Sequence, residues 1–244
     1  MDSLNRPKID SDLYYYQSIQ KEFLTPHECN VIREELFKHE EEVLSIPQEP
    51  VHDQDYEGLT RQHRVFNWLT NPRISRLGLP NKLFQIEPFN TWDSAYIQCW
   101  GNILRQGEKL QEHCHRGDHD NWVYSHDTKE IPTENIQMAV NIFISGHTDT
   151  GTTIEGKKHE NSIGEVTVFG ECVLHEVKTN FHQQPRVSMA FDLYNQDYPS
   201  HAQEDQKLKN QPWRFIHFSN PFKYNSKTTR RHMNIMCVVV CRSV

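Results

Sequence analysis

From Ser94 onward, short runs of residues that suit a pleated surface recur, each closed by Gly, Asn, Asp or Pro. They fall at Ala95–Trp100, Gln137–Ile144, Glu165–Phe169, Val173–Val177, Arg186–Leu193, Trp213–Phe218 and Met233–Val240. Each is too short to be a helix of ordinary length, and few helix signals stand between them. Such a succession disfavours a helix bundle or a doubly wound parallel sheet and predicts a sandwich or jelly roll. With 244 residues the chain has room for one β-rich domain with appended helices, and is short for two catalytic domains. The expected organisation is a helical support region over residues 1–90 packing on a catalytic jelly roll over 91–244.

The support region announces itself through one strong helix start. Thr25 stands as N-cap, Pro26 at the first helical position and Glu28 three residues after the cap. Cys29, Ile32, Leu36 and Val43 then recur at helical spacing through Ser45, with charges between them, as in a helix lying on a core. Leu13–Ile19 alternates loosely, as a strand would. Leu59–Phe84 mixes Arg, Trp and Pro with short apolar groups, which fits one or two short helices. The polar segment Arg116–Glu134, thick with His and Asp, reads as a long functional loop.

Charge and cysteine usage narrow the partners. A net charge of −7 gives little attraction to phosphate backbones, so nucleic acid is disfavoured; Lys227, Arg230 and Arg231 form the sole small basic cluster. The six cysteines (29, 99, 114, 172, 237 and 241) include no CxxC pair, and no signal peptide opens the chain. They are read as reduced thiols of a cytoplasmic protein. No apolar run approaches the ~18–20 residues of a membrane span.

Three places carry chemistry. In Gly107–His115, His113 and His115 sit at i and i+2, so on a strand they project to one face and can reach one metal ion. Among 15 histidines such a pair arises easily, and an exposed pair that binds nothing is the competing reading. In Gly164–Val177 a Gly turn leads into a second short strand bearing His175, either a ligand or a satisfied core histidine. On Pro185–Asp192, alternation places Arg186, Ser188 and Ala190 on one face and Val187, Met189 and Phe191 on the other. An arginine facing inward is costly unless it holds an anion, and its planar fork suits a carboxylate.

The order and spacing of these elements resemble the iron and 2-oxoglutarate-dependent oxygenase superfamily. There a His-x-Asp/Glu pair and a distal His bind Fe(II), and an Arg about ten residues later, often followed by x-Ser, holds 2-oxoglutarate. Phe23–Cys29 is similar to the opening of the prolyl-hydroxylase-like branch. Trp100-Gly-Asn102, Gly107 and His113-x-His115 resemble a subgroup with HxH in place of HxD. The resemblance covers roughly Tyr96–Leu193 and, faintly, the N-terminal helix. It implies a double-stranded β-helix with Fe(II) on His113, His115 and His175, and hydroxylation coupled to conversion of 2-oxoglutarate and dioxygen into succinate and carbon dioxide. Arg186 would anchor the distal carboxylate with Ser188 or Tyr96, while Asn102 and Asn141 would meet the other carboxylate or orient a ligand. Trp122 and Tyr124 on the Arg116–Glu134 loop would meet the substrate, a peptide side chain or a small metabolite.

One departure leaves the third ligand open. The family's carboxylate falls at His115, so the ligands are either three histidines, or His115 with Asp118 or Asp120, or two histidines and water. Two other readings compete. A cupin-like three-histidine metalloenzyme without 2-oxoglutarate leaves Arg186 structural, paired with Glu176 or Asp192. A non-enzymatic jelly-roll binding module leaves the histidines solvated in its metal-free form.

Overall fold

The computed structural model describes residues 16–47, 58–115, 137–195 and 214–223. The Arg116–Glu134 segment, with Asp118, Asp120, Trp122 and Tyr124, lies outside them, as do Trp213, the Lys227–Arg231 cluster, Cys237, Cys241 and Met233–Val240.

Ten strands among the described residues form two antiparallel sheets. They are β1 (Gln17–Gln20), β2 (Ser94–Leu104), β3 (Leu110–His113), β4 (Gln137–Ser145), β5 (Thr152–Ile154), β6 (Lys157–Lys158), β7 (Val166–Gly170), β8 (His175–Val177), β9 (Arg186–Tyr194) and β10 (Ile216–Ser219). The larger sheet runs β1-β7-β4-β9-β2-β10 and the smaller β3-β8-β5-β6. From β2 to β9 the chain alternates between the two, with β5 and β6 paired as one hairpin in the smaller sheet, which is the winding of a double-stranded β-helix, or jelly roll. The expected fold class is therefore the observed one. Strands β5 and β6 were not foreseen, because Thr152–Ile154 and Lys157–Lys158 are too short to show a period.

The larger sheet buries both faces, differently. Outward, Ile97, Cys99, Ile103, Val140, Ile142, Val187, Met189 and Phe191 join Ile32 and Leu36 in the main core. Those last two belong to α1 (Pro26–Leu44), which begins with the expected capping box. Thr25 Oγ1 accepts from the Glu28 amide at 3.3 Å, and Glu28 Oε2 accepts from the Thr25 amide at 2.9 Å. Cys29, Ile32, Leu36 and Val43 are all buried, as their spacing requires. The polar positions between them are also used: Glu40 takes a two-pronged ion pair from Arg105, at 2.7 and 2.8 Å. Glu35, buried, is held by Arg73 Nη1 at 2.7 Å and Asn71 Nδ2 at 2.9 Å. Residues 58–92 supply several single helical turns beneath α1, more fragmented than one or two helices. Inward, toward the smaller sheet, the apolar filling is thin: Ala139, Ile154, Phe169 and Val173 form one small cluster. The rest of that interior carries His, Arg, Asp, Asn, Ser and Thr.

The N-terminal segment is tied into the jelly roll directly. β1 pairs with β7 and extends the larger sheet. Just beyond it, the Leu24 amide donates to the Gly164 carbonyl at 3.0 Å. Gly164 has φ +77°, and a Cβ there would lie 2.1 Å from the Leu24 carbonyl oxygen. The position needs glycine both for its conformation and for this approach. Gly164→Ala is expected to cost about 2–4 kcal/mol, lowering the denaturant midpoint; an unchanged midpoint would show that the junction relaxes freely.

Candidate metal centre

The smaller sheet sets the site through its register. His113 on β3 pairs with His175 on β8, which pairs with Ile154 on β5. One row further along, Val177 pairs with Thr152. Paired residues point to the same face of a sheet, so two neighbouring rows look into the interior. The first carries imidazoles. The second carries a threonine hydroxyl.

β3 ends at His113, so His115 lies just past the strand rather than on it. Its amide is held by the Glu171 carbonyl at 3.0 Å, and its ring turns inward beside its neighbour. Ring centroids of His113 and His175 lie 4.2 Å apart, of His115 and His175 5.0 Å, and of His113 and His115 5.5 Å. A ligand nitrogen from each falls within 4.8 Å of those of the other two. His175 is buried and the other two are half-buried.

The hydrogen bonds fix which nitrogen each ring offers. His113 Nδ1 lies 2.8 Å from the Gln111 carbonyl, and His175 Nδ1 lies 3.0 Å from the Val173 carbonyl. His115 Nδ1 lies 2.6 Å from Asp192 Oδ1. Carbonyl and carboxylate oxygens only accept, so each Nδ1 carries the proton and each neutral ring keeps its lone pair on Nε2. Yet His115 Nε2 and His175 Nε2 stand 3.2 Å apart. Two lone pairs at that distance repel unless a cation lies between or beside them. On the two rings from the smaller sheet a proton is disfavoured: burial, then the neighbouring His115, hold His113 down to about 4. Burial and both other rings hold His175 well below the usual imidazole range. The donor set thus fits a divalent metal on three Nε2 atoms, each ring braced from behind at Nδ1.

Asp192 is the residue that the sequence reading had not assigned to the centre. It extends the Arg186, Ser188, Ala190 alternation by one step on β9, and that step was its only signal. Burial raises its pKa, but the charge and hydrogen bond of His115, with a bond from Gln137, outweigh this and hold it below the ordinary carboxylate range. Phe169 packs against His175 at 4.3 Å between ring centroids, and Trp100 lies 6.1 Å from His115.

Arg186 forms the second half of the site. It is 1% exposed, with Nε on the Thr150 carbonyl at 2.9 Å, Nη1 on Ser188 Oγ at 2.9 Å and Nη2 on Thr152 Oγ1 at 3.2 Å. Among the described residues no carboxylate pairs with it. Glu176 pairs with Lys178, and Asp192 with His115. Burial alone pulls the guanidinium down to about 10. Its Thr152 contact lies on the row next to His175, two residues from Ile154 on β5, roughly 6.6 Å along the strand.

The remaining expected residues divide. Asn102 joins the Arg186 end: its Nδ2 donates to Ser188 Oγ at 3.3 Å and its Oδ1 accepts from Thr60 at 2.7 Å. Asn141 pairs with Ala190 midway along the sheet. Tyr96 is not brought to Arg186. It pairs with Tyr194 whereas Arg186 pairs with Leu104, so eight residues of β2, roughly 26 Å, separate their rows. Tyr96 packs instead with Tyr194 and Phe215. Thr150 and Thr152 contact Arg186 instead.

Fold and site together define a double-stranded β-helix with three converging histidines and a buried arginine. No protein-family model matches the sequence, and no curated protein matches it. Among solved structures the chain is similar to AviO1 from Streptomyces viridochromogenes Tue57, with a TM-score of 0.53 and 12% identity over 77% of this chain and 93% of that one. It is also similar to the viral collagen prolyl hydroxylase from Paramecium Bursaria Chlorella virus-1, with a TM-score of 0.49 and 12% identity over 80% and 98%. HygX from Streptomyces hygroscopicus, solved with nickel and 2-oxoglutarate bound, gives 0.49 and 12% over 79% and 89%. At these identities the likeness is one of fold, and AviO1 carries it.

If Asp192 orients His115, Asp192→Ala should lower Mn(II) affinity by about 10–100-fold, and Asp192→Asn, which keeps an acceptor, by less. Calorimetric titration reads both; wild-type affinity in the alanine variant would remove Asp192 from the centre.

Proposed function

We propose that this chain is an Fe(II)- and 2-oxoglutarate-dependent oxygenase that hydroxylates a peptide side chain or a small metabolite. The observation that carries the proposal is Arg186: a buried guanidinium without a carboxylate partner among the described residues, bonded to Thr152, which lies one sheet row from His175. An uncompensated buried charge is unfavourable, and an arriving carboxylate offsets it while using the fork geometry. A diacid with one end on Arg186, Ser188 and Thr152 places its other end toward His113, His115 and His175.

The division of labour follows from the contacts. His113, His115 and His175 hold the metal through Nε2, and Asp192 keeps the His115 proton on Nδ1. Ser188 Oγ and Thr152 Oγ1 fix the plane of the guanidinium, so the incoming carboxylate meets a fork already oriented. Phe169, Ile154, Val173 and Ala139 make the dry wall between the sheets. Fe(II) bound there supplies the oxidative chemistry: dioxygen is consumed, 2-oxoglutarate becomes succinate and carbon dioxide, and the substrate gains a hydroxyl group. No helix among the described residues is long and apolar enough to cross a membrane, and a cytoplasmic site of action is part of the proposal.

One feature favours a second reading. A set of three histidines without a carboxylate among the ligands also suits a cupin-like metalloenzyme that uses no 2-oxoglutarate. The two differ over Arg186, which the second leaves without an anion. Under anaerobic conditions 2-oxoglutarate should raise the melting temperature of the Mn(II)-loaded protein and not of the metal-free one. His175→Ala should abolish that shift. Arg186→Ala should weaken 2-oxoglutarate by roughly 30-fold or more, the loss expected for one member of a buried charge pair. A metal-loaded protein that ignores 2-oxoglutarate would put the cupin-like reading in front.

A further inference from the structure

A second cluster of metal-binding side chains lies away from the barrel interior, and its donors are two histidines and one aspartate. His147 and Asp149 stand in the turn between β4 and β5, and His182 in the loop between β8 and β9. His147 Nδ1 lies 2.6 Å from Asp149 Oδ1, and His182 Nε2 lies 2.8 Å from the same oxygen. The two rings stack at 3.9 Å with only 12° between their planes. Ligand atoms of all three lie within 4.8 Å of one another.

Both loops are fixed by backbone contacts before these side chains meet. Thr150 turns back on His147, its amide and Oγ1 both donating to the His147 carbonyl at 3.1 and 2.6 Å. Gly146, with φ +132°, brings the end of β4 against β9, where a Cβ would stand 3.0 Å from the Arg186 Cα. On the other side Asn180, fully buried, donates to the Leu104 and Gln184 carbonyls at 3.0 Å and accepts from the His182 amide at 3.0 Å. The ligand positions are therefore held by the fold, and a bound ion would order little that is loose.

We propose that His147, Asp149 and His182 form a second divalent-metal site, selective for ions of the Zn(II), Ni(II) or Cu(II) class, that clips the β4–β5 turn to the β8–β9 loop. Two imidazoles and one carboxylate are borderline donors; Ca(II) and Mg(II) prefer all-oxygen shells. Side-chain exposures of 52%, 50% and 34% for His147, Asp149 and His182 leave the remaining positions to water. That exposure fits a structural or regulatory ion rather than one that must exclude solvent for oxidative chemistry. The clip has a neighbour that matters: Thr150, next to Asp149, presents its carbonyl to Arg186 Nε. Closing the clip steadies one wall of the anion pocket. The site does not depend on what the barrel centre binds.

The test removes the barrel centre first. In a His113→Ala/His175→Ala background, equilibrium dialysis against Zn(II) should find an equivalent that is lost when His147→Ala and His182→Ala are added, and weakened at least tenfold by Asp149→Asn. His27→Ala, which removes an exposed histidine on α1, is the control and should leave it unchanged. Folding of each variant is checked by its melting transition, and Zn(II) should raise that transition only where His147, Asp149 and His182 are intact. Zn(II) binding that survives loss of His147 and His182, or that is lost equally with His27, would overturn the proposal, as would no binding in the starting background.

Discussion

The pairing of β9 between β2 and β4 is the constraint on which everything else rests. This strand is hydrogen-bonded on both sides, against residues 96–104 of β2 and 137–145 of β4. Its odd-numbered residues, Val187, Met189, Phe191 and Leu193, enter the main core beneath α1. Of its even-numbered residues, Arg186 and Ser188 bond to each other in the interior and Asp192 braces His115. A slip of one residue would send Arg186 into the apolar core and Val187 into the site. Four apolar side chains thus hold three polar ones in register, and the free energy that folds the domain also sets the geometry of its chemistry. The β4 side adds a correction: an irregularity between Phe143 and Ser145 shifts the pairing by one at the Arg186 end. That break turns the strand toward the β4–β5 turn, where Thr150 meets the guanidinium.

Charge balance inside the barrel follows from the same placement. In the resembling family a carboxylate binds the metal directly. Here the corresponding position is His115, and the carboxylate of Asp192 sits behind it at Nδ1. The negative charge has moved one imidazole outward rather than disappeared. A metal held as proposed would meet three imidazole donors, one made more basic by its carboxylate neighbour. It therefore keeps more of its positive charge than it would beside a ligating aspartate, and favours an anionic co-ligand more strongly. Arg186 adds a second positive charge at the other end of the same interior. Under the proposed function a dianion that spans the two would balance both.

Much of this was legible in the sequence, for reasons that particular residues make clear. The capping box of α1 and its four buried apolar positions are local signals, readable without knowing the fold. Strands β2, β4, β7 and β9 were readable because each is long or apolar enough to stand out. His113, His115, His175, Arg186 and Ser188 were singled out because their spacing resembles a family pattern, and the structure brings the three histidines together and Arg186 against Ser188. What escaped depends on register. Thr150 and Thr152 bind Arg186 from the β5 region, whose strand is three residues long and shows no period. Tyr96 was named as a helper by the family resemblance, yet only the pairing reveals that it faces Tyr194 and not Arg186. Adjacency of strands can be guessed from order; which end meets which cannot.

Asp192 shows how a residue can be visible and still be misread. The sequence placed it on the strand of Arg186 and offered it as a structural partner for that arginine. Two residues six apart on one strand face the same way, but their backbones stand roughly 20 Å apart along it, and Asp192 pairs with His115 rather than with Arg186. An aspartate so placed needs a cation or a strong donor at its own end, and the donor that arrives comes from the other sheet, just past the end of β3. The HxH motif and Asp192 are thus one feature divided between two sheets. His115 reaches its position only because the smaller sheet closes over the larger, and its proton sits on Nδ1 only because Asp192 is there to accept it. The ligand nitrogen of the third histidine is set by a residue 77 positions later in the chain.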